Sequence, residues 1–165
     1  MHEVTLESWK DFYVALAGAA SALAGLVFVA LSINLARILA IPGLTARGGE
    51  TIILLSAALL AALIGLIPGQ SLQTIGLELG VVGLIAWCAP VAFQITAGRA
   101  KYYQTRSQLV HRVIFHQAAT VPLLLASALM LSGRDGGFGW LALGVILALV
   151  AGLQNAWVLL VEILR

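Results

Sequence analysis

The sequence predicts an all-α fold: a polytopic helical membrane protein with five transmembrane helices, N-terminus outside and C-terminus inside. Three observations carry that reading. Of 165 residues, 61% are hydrophobic and only 10% charged, with a mean hydropathy of +1.04, whereas a soluble domain carries about 25% charged residues. The apolar residues gather into five runs, at about 12–36, 51–67, 75–96, 113–131 and 139–164, separated by short polar or Gly/Pro links. The basic residues are unevenly shared between the two sets of links, which sets the orientation.

The first run holds twenty-five uncharged residues between Lys10-Asp11 and Arg37. At about 1.5 Å per residue it covers roughly 37 Å, enough to cross a hydrocarbon core of about 30 Å with some tilt. Ser8-Trp9-Lys10-Asp11 fits a capping box with Ser8 at the N-cap. Trp9, Phe12 and Tyr13 share one face, as expected of aromatic anchors at the headgroup level. The opening Met-His-Glu-Val-Thr-Leu-Glu is acidic and lacks the basic n-region of a cleaved signal peptide, so the helix is expected to be retained.

From Ala15 to Gly25, nine of eleven residues are Ala, Gly or Ser. At about 100° per residue Gly18, Ser21, Gly25 and Ser32 fall on one strip. Small residues let helix backbones approach closely in lipid, where Leu-on-Leu contacts have no special advantage. This pattern predicts a central helix with others around it, its strip serving for helix packing or, around a symmetry axis, lining a pore.

Asn34 and Arg37 return the chain to water, and Pro42-Gly43 ends the helix. A loop with Arg47 and Glu50 leads to a second, shorter span, closed by Pro68-Gly69. The third span carries Glu78 near its start and Pro90 inside, a residue tolerated where neighbours satisfy the freed carbonyl. The most polar stretch follows, with Arg99, Lys101, Arg106 and Arg112 interleaved with Tyr102 and Tyr103. It reads as a retained cytoplasmic loop that touches lipid headgroups or a partner. The fourth span contains Pro122 and ends at a turn, Ser132 to Gly137, rich in Gly and Asp. The fifth runs almost to Arg165. With the N-terminus outside, seven basic residues (Arg37, Arg47, Arg99, Lys101, Arg106, Arg112, Arg165) lie inside against two (Lys10, Arg134) outside.

Ionisable and amide residues within spans are the candidate sites, because a central charge costs about 2.5–3.5 kcal/mol or more. Glu78 lies about one turn inside the outer boundary, within reach of water or Lys10. His116 and Glu162 lie about one turn inside the opposite boundary on adjacent spans, and are expected to pair. Gln154, Asn155 and Gln117 sit deeper. They read as glue between helices, at about 0.6 kcal/mol per bond, or as the lining of a polar passage.

No chemistry-bearing motif accompanies them. His111 and His116 are about 140° apart on a helix, which does not present two metal ligands on one face. No phosphate-cradling glycine loop or nucleophile motif occurs, so neither an enzyme nor a cofactor is expected. The net charge of +2 reflects retained loops rather than nucleic acid binding. Cys88 forms no intrachain disulfide, and in its apolar run reads as a small core hydrophobe.

The segment Trp9-Lys10-Asp11-Phe12-Tyr13 with Gly18-Ala19-Ala20-Ser21-Ala22-Leu23-Ala24-Gly25-Leu26-Val27-Phe28-Val29-Ala30-Leu31-Ser32-Ile33-Asn34-Leu35 resembles the start of a group of small, uncharacterised bacterial multi-pass membrane proteins. Some of these are named as modulators of a membrane protease. The resemblance implies a bacterial plasma membrane location and assigns no functional residue. The expected function is non-enzymatic: an oligomeric accessory, assembly or regulatory subunit in the lipid bilayer, partnered by itself or by a larger membrane complex. The alternatives are a homo-oligomeric channel or small-solute pore lined by the first-helix strip, and a ligand-binding membrane module.

Overall fold

The computed structural model describes residues 6–41, 43–99 and 106–164, with side chains over 8–41, 43–93 and 110–161. Six α-helices and no strand occur among them: α1 Lys10–Ile33, α2 Leu35–Ala40, α3 Leu44–Leu66, α4 Leu72–Arg99, α5 Arg106–Leu131 and α6 Gly137–Leu164. All but α2 are long and apolar enough to cross a membrane, which makes this a multi-pass, all-α membrane architecture.

Helices α3, α4, α5 and α6 form an up-and-down four-helix bundle, each packed on its neighbours in chain order and α6 returning to α3. The core holds Leu54, Leu79, Leu123, Leu141 and Val145. Helix α1 lies outside this square, antiparallel to α3, with Tyr13, Leu16, Ala20 and Val27 as its buried face.

This corrects the expectation that the first helix is central. In α1 only 17% of the most apolar window is buried, against 33–44% in the other four spans. The central helix is α3, packed against α1, α4 and α6. Its Ala57, Ala58, Ala61 and Ala62 are all buried, and methyl-sized side chains let three neighbours approach one helix.

Helix α3 also begins earlier than the sequence suggests. Arg47 and Glu50 belong to the helix rather than to a loop. The whole span is 23 residues, or roughly 35 Å at 1.5 Å per residue, long enough to cross fully. Gly43, at φ +87°, supplies the left-handed turn that separates it from α2.

Glycines mark the closest seams. A Cβ at Gly76 would lie 2.8 Å from the Leu131 backbone N, one at Gly80 2.7 Å from Ser127 Oγ, and one at Gly83 3.0 Å from the Leu124 side chain. These three positions form one face of α4 at helical spacing, so α4 and α5 meet almost backbone to backbone. Ser127 Oγ donates to the Gly76 carbonyl at 2.7 Å across that seam. Gly144 receives Leu123 from α5, and Gly152 receives Leu55 from α3.

At the other edge the Tyr13 ring occupies the space over Gly65, 2.6 Å from where a Cβ would stand. Trp9 stacks on Phe138 of α6, with centroids 5.6 Å apart, and meets Phe12 edge-on at 5.5 Å. The three aromatics therefore fasten α1 to the bundle. The N-cap of α1 is Trp9, preceded by a 3-10 turn at Leu6–Trp9, with no side-chain cap bond, rather than Ser8.

Candidate functional site

Two features stand out beyond simple packing, and both draw on residues named from the sequence. One is a buried polar cluster where α3 and α5 begin. Glu50 is 1% exposed and Arg112 5%, and Arg112 Nε donates to Glu50 Oε2 at 2.6 Å. Arg112 is thus buried and ion-paired rather than on the solvated surface. It lies inside the bundle because Glu50, 62 residues earlier in the chain, supplies its counter-charge.

His116, one turn deeper on α5, is 3% exposed. It lies within electrostatic reach of both charges and against the backbone of Trp87. Its expected partner, Glu162, has its side chain outside the described residues, as have Arg99 and Arg106, while Lys101 lies outside them altogether. Around the cluster, Glu50 Oε1, both terminal nitrogens of Arg112 and both ring nitrogens of His116 are buried without a hydrogen bond.

A cleft of about 550 Å³ opens beside this cluster between α5 and α6. Arg112, His111 and Phe115 line it from α5, Gln154, Asn155 and Trp157 from α6, and Arg47 from α3. Gln154 is exposed and Asn155 half-buried, so the two amides face this cleft rather than bonding helix to helix. His111 is exposed and stacks tilted on Phe115, with centroids 4.5 Å apart. Among the described residues no group of three or more His, Cys, Asp or Glu could hold a metal ion.

The remaining amide and carboxylate candidates act locally. Gln117 Oε1 accepts from Trp87 Nε1 at 2.9 Å, joining α5 to α4. Glu78 Oε2 accepts from Gln70 Nε2 at 2.9 Å, so its partner is Gln70 rather than Lys10. Cys88 is exposed on α4, not in the core.

The second feature is the strip on α1. Gly18, Ser21, Gly25 and Ser32 are all exposed, on the side of the helix turned away from Tyr13, Leu16, Ala20 and Val27. A Cβ added at Gly18 or Gly25 would meet nothing within 4 Å. Ser32 Oγ donates back to the Phe28 carbonyl at 2.8 Å, so its hydroxyl is satisfied within the helix. The glycines that close the seams within the chain are instead Gly65, Gly76, Gly80, Gly83, Gly144 and Gly152. Sequence reasoning passed over them, although 76, 80 and 83 carry the same helical spacing as the α1 strip.

Set against protein-family models, curated proteins and solved structures, the chain matches none. Its function is read from these two features alone.

Proposed function

We propose that this protein is a non-enzymatic subunit of the bacterial plasma membrane that assembles through the outward face of α1, with its N-terminus outside and its C-terminus inside. The observation that supports the reading is a contrast between two sets of glycines. Those on the seams of the bundle are filled by a facing side chain or backbone, whereas Gly18 and Gly25 face open space. A glycine inside a helix costs about 0.8–1.0 kcal/mol relative to alanine. In lipid, that cost is offset when a second backbone lies against it.

The occupant is a second copy of this chain. Two α1 helices related by a twofold axis present the same strip to each other, the self-complementary arrangement that closes a dimer. The buried face of α1 stays on α3, so assembly requires no rearrangement of the bundle.

Disulfide cross-linking in native membranes tests this reading. With Cys88→Ser as background, Ser21→Cys should give a band at twice the chain mass, and Val14→Cys, Ala19→Cys and Leu26→Cys should map the edges of the contact. A Ser21→Cys chain that stays single, or links only to a different protein, sinks the self-association. A Ser21→Cys thiol reached by water-soluble maleimide in the assembled protein would favour a pore around the axis instead.

A further inference from the structure

We propose that Glu50 has two alternative cations, Arg112 and His116, and that acidification exchanges the first for the second. His116 takes up a proton and pairs with Glu50 Oε1, while Arg112 swings out of the bundle into the cleft between α5 and α6. The inference concerns the inside of the bundle and is independent of assembly through α1.

The pattern of unsatisfied atoms carries it. Glu50, Arg112 and His116 are all more than nine-tenths buried. Among the described residues, the one hydrogen bond on these three side chains runs from Arg112 Nε to Glu50 Oε2. Glu50 Oε1, both terminal nitrogens of Arg112 and both ring nitrogens of His116 are buried with none. Buried polar atoms are almost always hydrogen-bonded, so an arrangement that satisfies more of these five competes with this one. An imidazolium N–H donating to Oε1, with the guanidinium outside, is such an arrangement.

The placement of the three residues permits the exchange. His116 follows Arg112 by four positions, on the same face of α5, and lies within electrostatic reach of Glu50. Arg112 already forms part of the cleft wall, although its terminal nitrogens are sealed from it. Rotation about side-chain torsions carries the guanidinium from one side of that wall to the other without moving α5. The cleft, of about 550 Å³, has room for it, and the Gln154 and Asn155 amides there offer carbonyl acceptors.

Charge counting makes the proton the trigger. Facing His116 are Glu50 from α3, Arg112 from α5 itself and the Trp87 backbone from α4. The described side chains of α6 include no titratable group, and Arg47 and His111 stand at the cleft. With His116 neutral, one cation faces one carboxylate. A proton on His116 without the exchange sets two cations against one carboxylate inside the membrane, a costly surplus. With the exchange the interior is neutral again and the extra charge sits in the cleft. The proton therefore binds one arrangement better than the other, which is what lets a ligand shift an equilibrium. Histidine is the side chain that ordinarily changes charge near neutral pH, and a buried ion pair contributes little net stability to hold Arg112 in place.

The test is NMR of the full-length protein in nanodiscs, isotope-labelled at the histidine and arginine side-chain nitrogens and titrated between about pH 8 and pH 5. His116 should gain its proton, and the Arg112 Nε–H signal should leave its paired position with the same midpoint. In His116→Gln that signal should stay where it is. A His116 that remains neutral throughout, an Arg112 that keeps its paired signal after His116 is protonated, or an Arg112 shift that persists in His116→Gln would each overturn the proposal. Should His116→Gln fail to fold, the wild type decides alone: coincident midpoints support the exchange and separate ones overturn it.

Discussion

Arg112 and Glu50 join across the diagonal of the bundle, Nε to Oε2 at 2.6 Å, and so tie α5 to α3, two helices that otherwise barely touch. Two charges are held inside the helical square while five polar atoms of the cluster, on Glu50, Arg112 and His116, make no hydrogen bond. Such a pair specifies register more than it adds net stability, because desolvation offsets much of the attraction.

Breaking the pair should therefore cost far more than replacing it. Glu50→Ala leaves a buried guanidinium alone and should lower stability by about 3–5 kcal/mol, whereas Glu50→Met combined with Arg112→Met should recover most of that loss. Unfolding midpoints in detergent, arranged as a double-mutant cycle, measure the coupling. Single-variant costs that simply add would mean that the two charges do not act together.

The two sets of glycines should respond in opposite directions. Gly76→Ala places a methyl 2.8 Å from the Leu131 backbone and should destabilise the fold by about 1–3 kcal/mol through overpacking. Gly18→Ala meets nothing within 4 Å and should leave the isolated chain unchanged or more stable by up to about 1 kcal/mol, from helix propensity alone. Thermal unfolding of the two variants in the same detergent compares them directly.

Attachment of α1 should depend on one ring over one glycine. Tyr13→Ala removes a fully buried aromatic from the α1–α3 seam, a change of about 3–5 kcal/mol for large aromatics in cores. Gly65→Val should act similarly, since its side chain claims the space of the Tyr13 ring. In both variants a cysteine pair bridging Leu31 and Gly48, which face each other at the far end of the seam, should cross-link less than in the parent.

Two interhelical hydrogen bonds should prove modest. Trp87→Phe removes the donor to Gln117, and Ser127→Ala removes the donor to Gly76. Each should cost about 0.6 kcal/mol and at most about 1.7, the range for such bonds in membranes. A loss of several kcal/mol at Trp87 would show that its indole packing, not the bond, holds α4 on α5.

The five spans were legible in composition and in the spacing of Gly and Pro breaks, because a helix that must satisfy its own backbone in lipid needs an uninterrupted apolar run. The start of α3 was not. Arg47 and Glu50 look like loop residues until Arg112, 62 positions from Glu50, neutralises the carboxylate, and a tertiary partner at that distance leaves no local signal. Periodicity found the small-residue face of α1, yet periodicity says only that a face is smooth, not what lies against it. The faces of α4 at Gly76, Gly80 and Gly83 and of α3 at Ala57, Ala58, Ala61 and Ala62 carry the same pattern and are the ones covered within the chain. In the cleft, Gln154 and Asn155 were visible as intramembrane amides. Their neighbour Arg112 was read with the polar stretch before it, because only the fold turns its side chain inward.

Assembly through α1 is most directly tested by the native mass of the protein released gently from membranes, wild type beside Gly25→Leu. With open space around Gly25, the variant should keep its helical content and thermal transition as a single chain. The account predicts a discrete multiple of the chain mass for the wild type and a single chain for Gly25→Leu. A wild type that is already a single chain, or a variant that holds the same multiple, would contradict it.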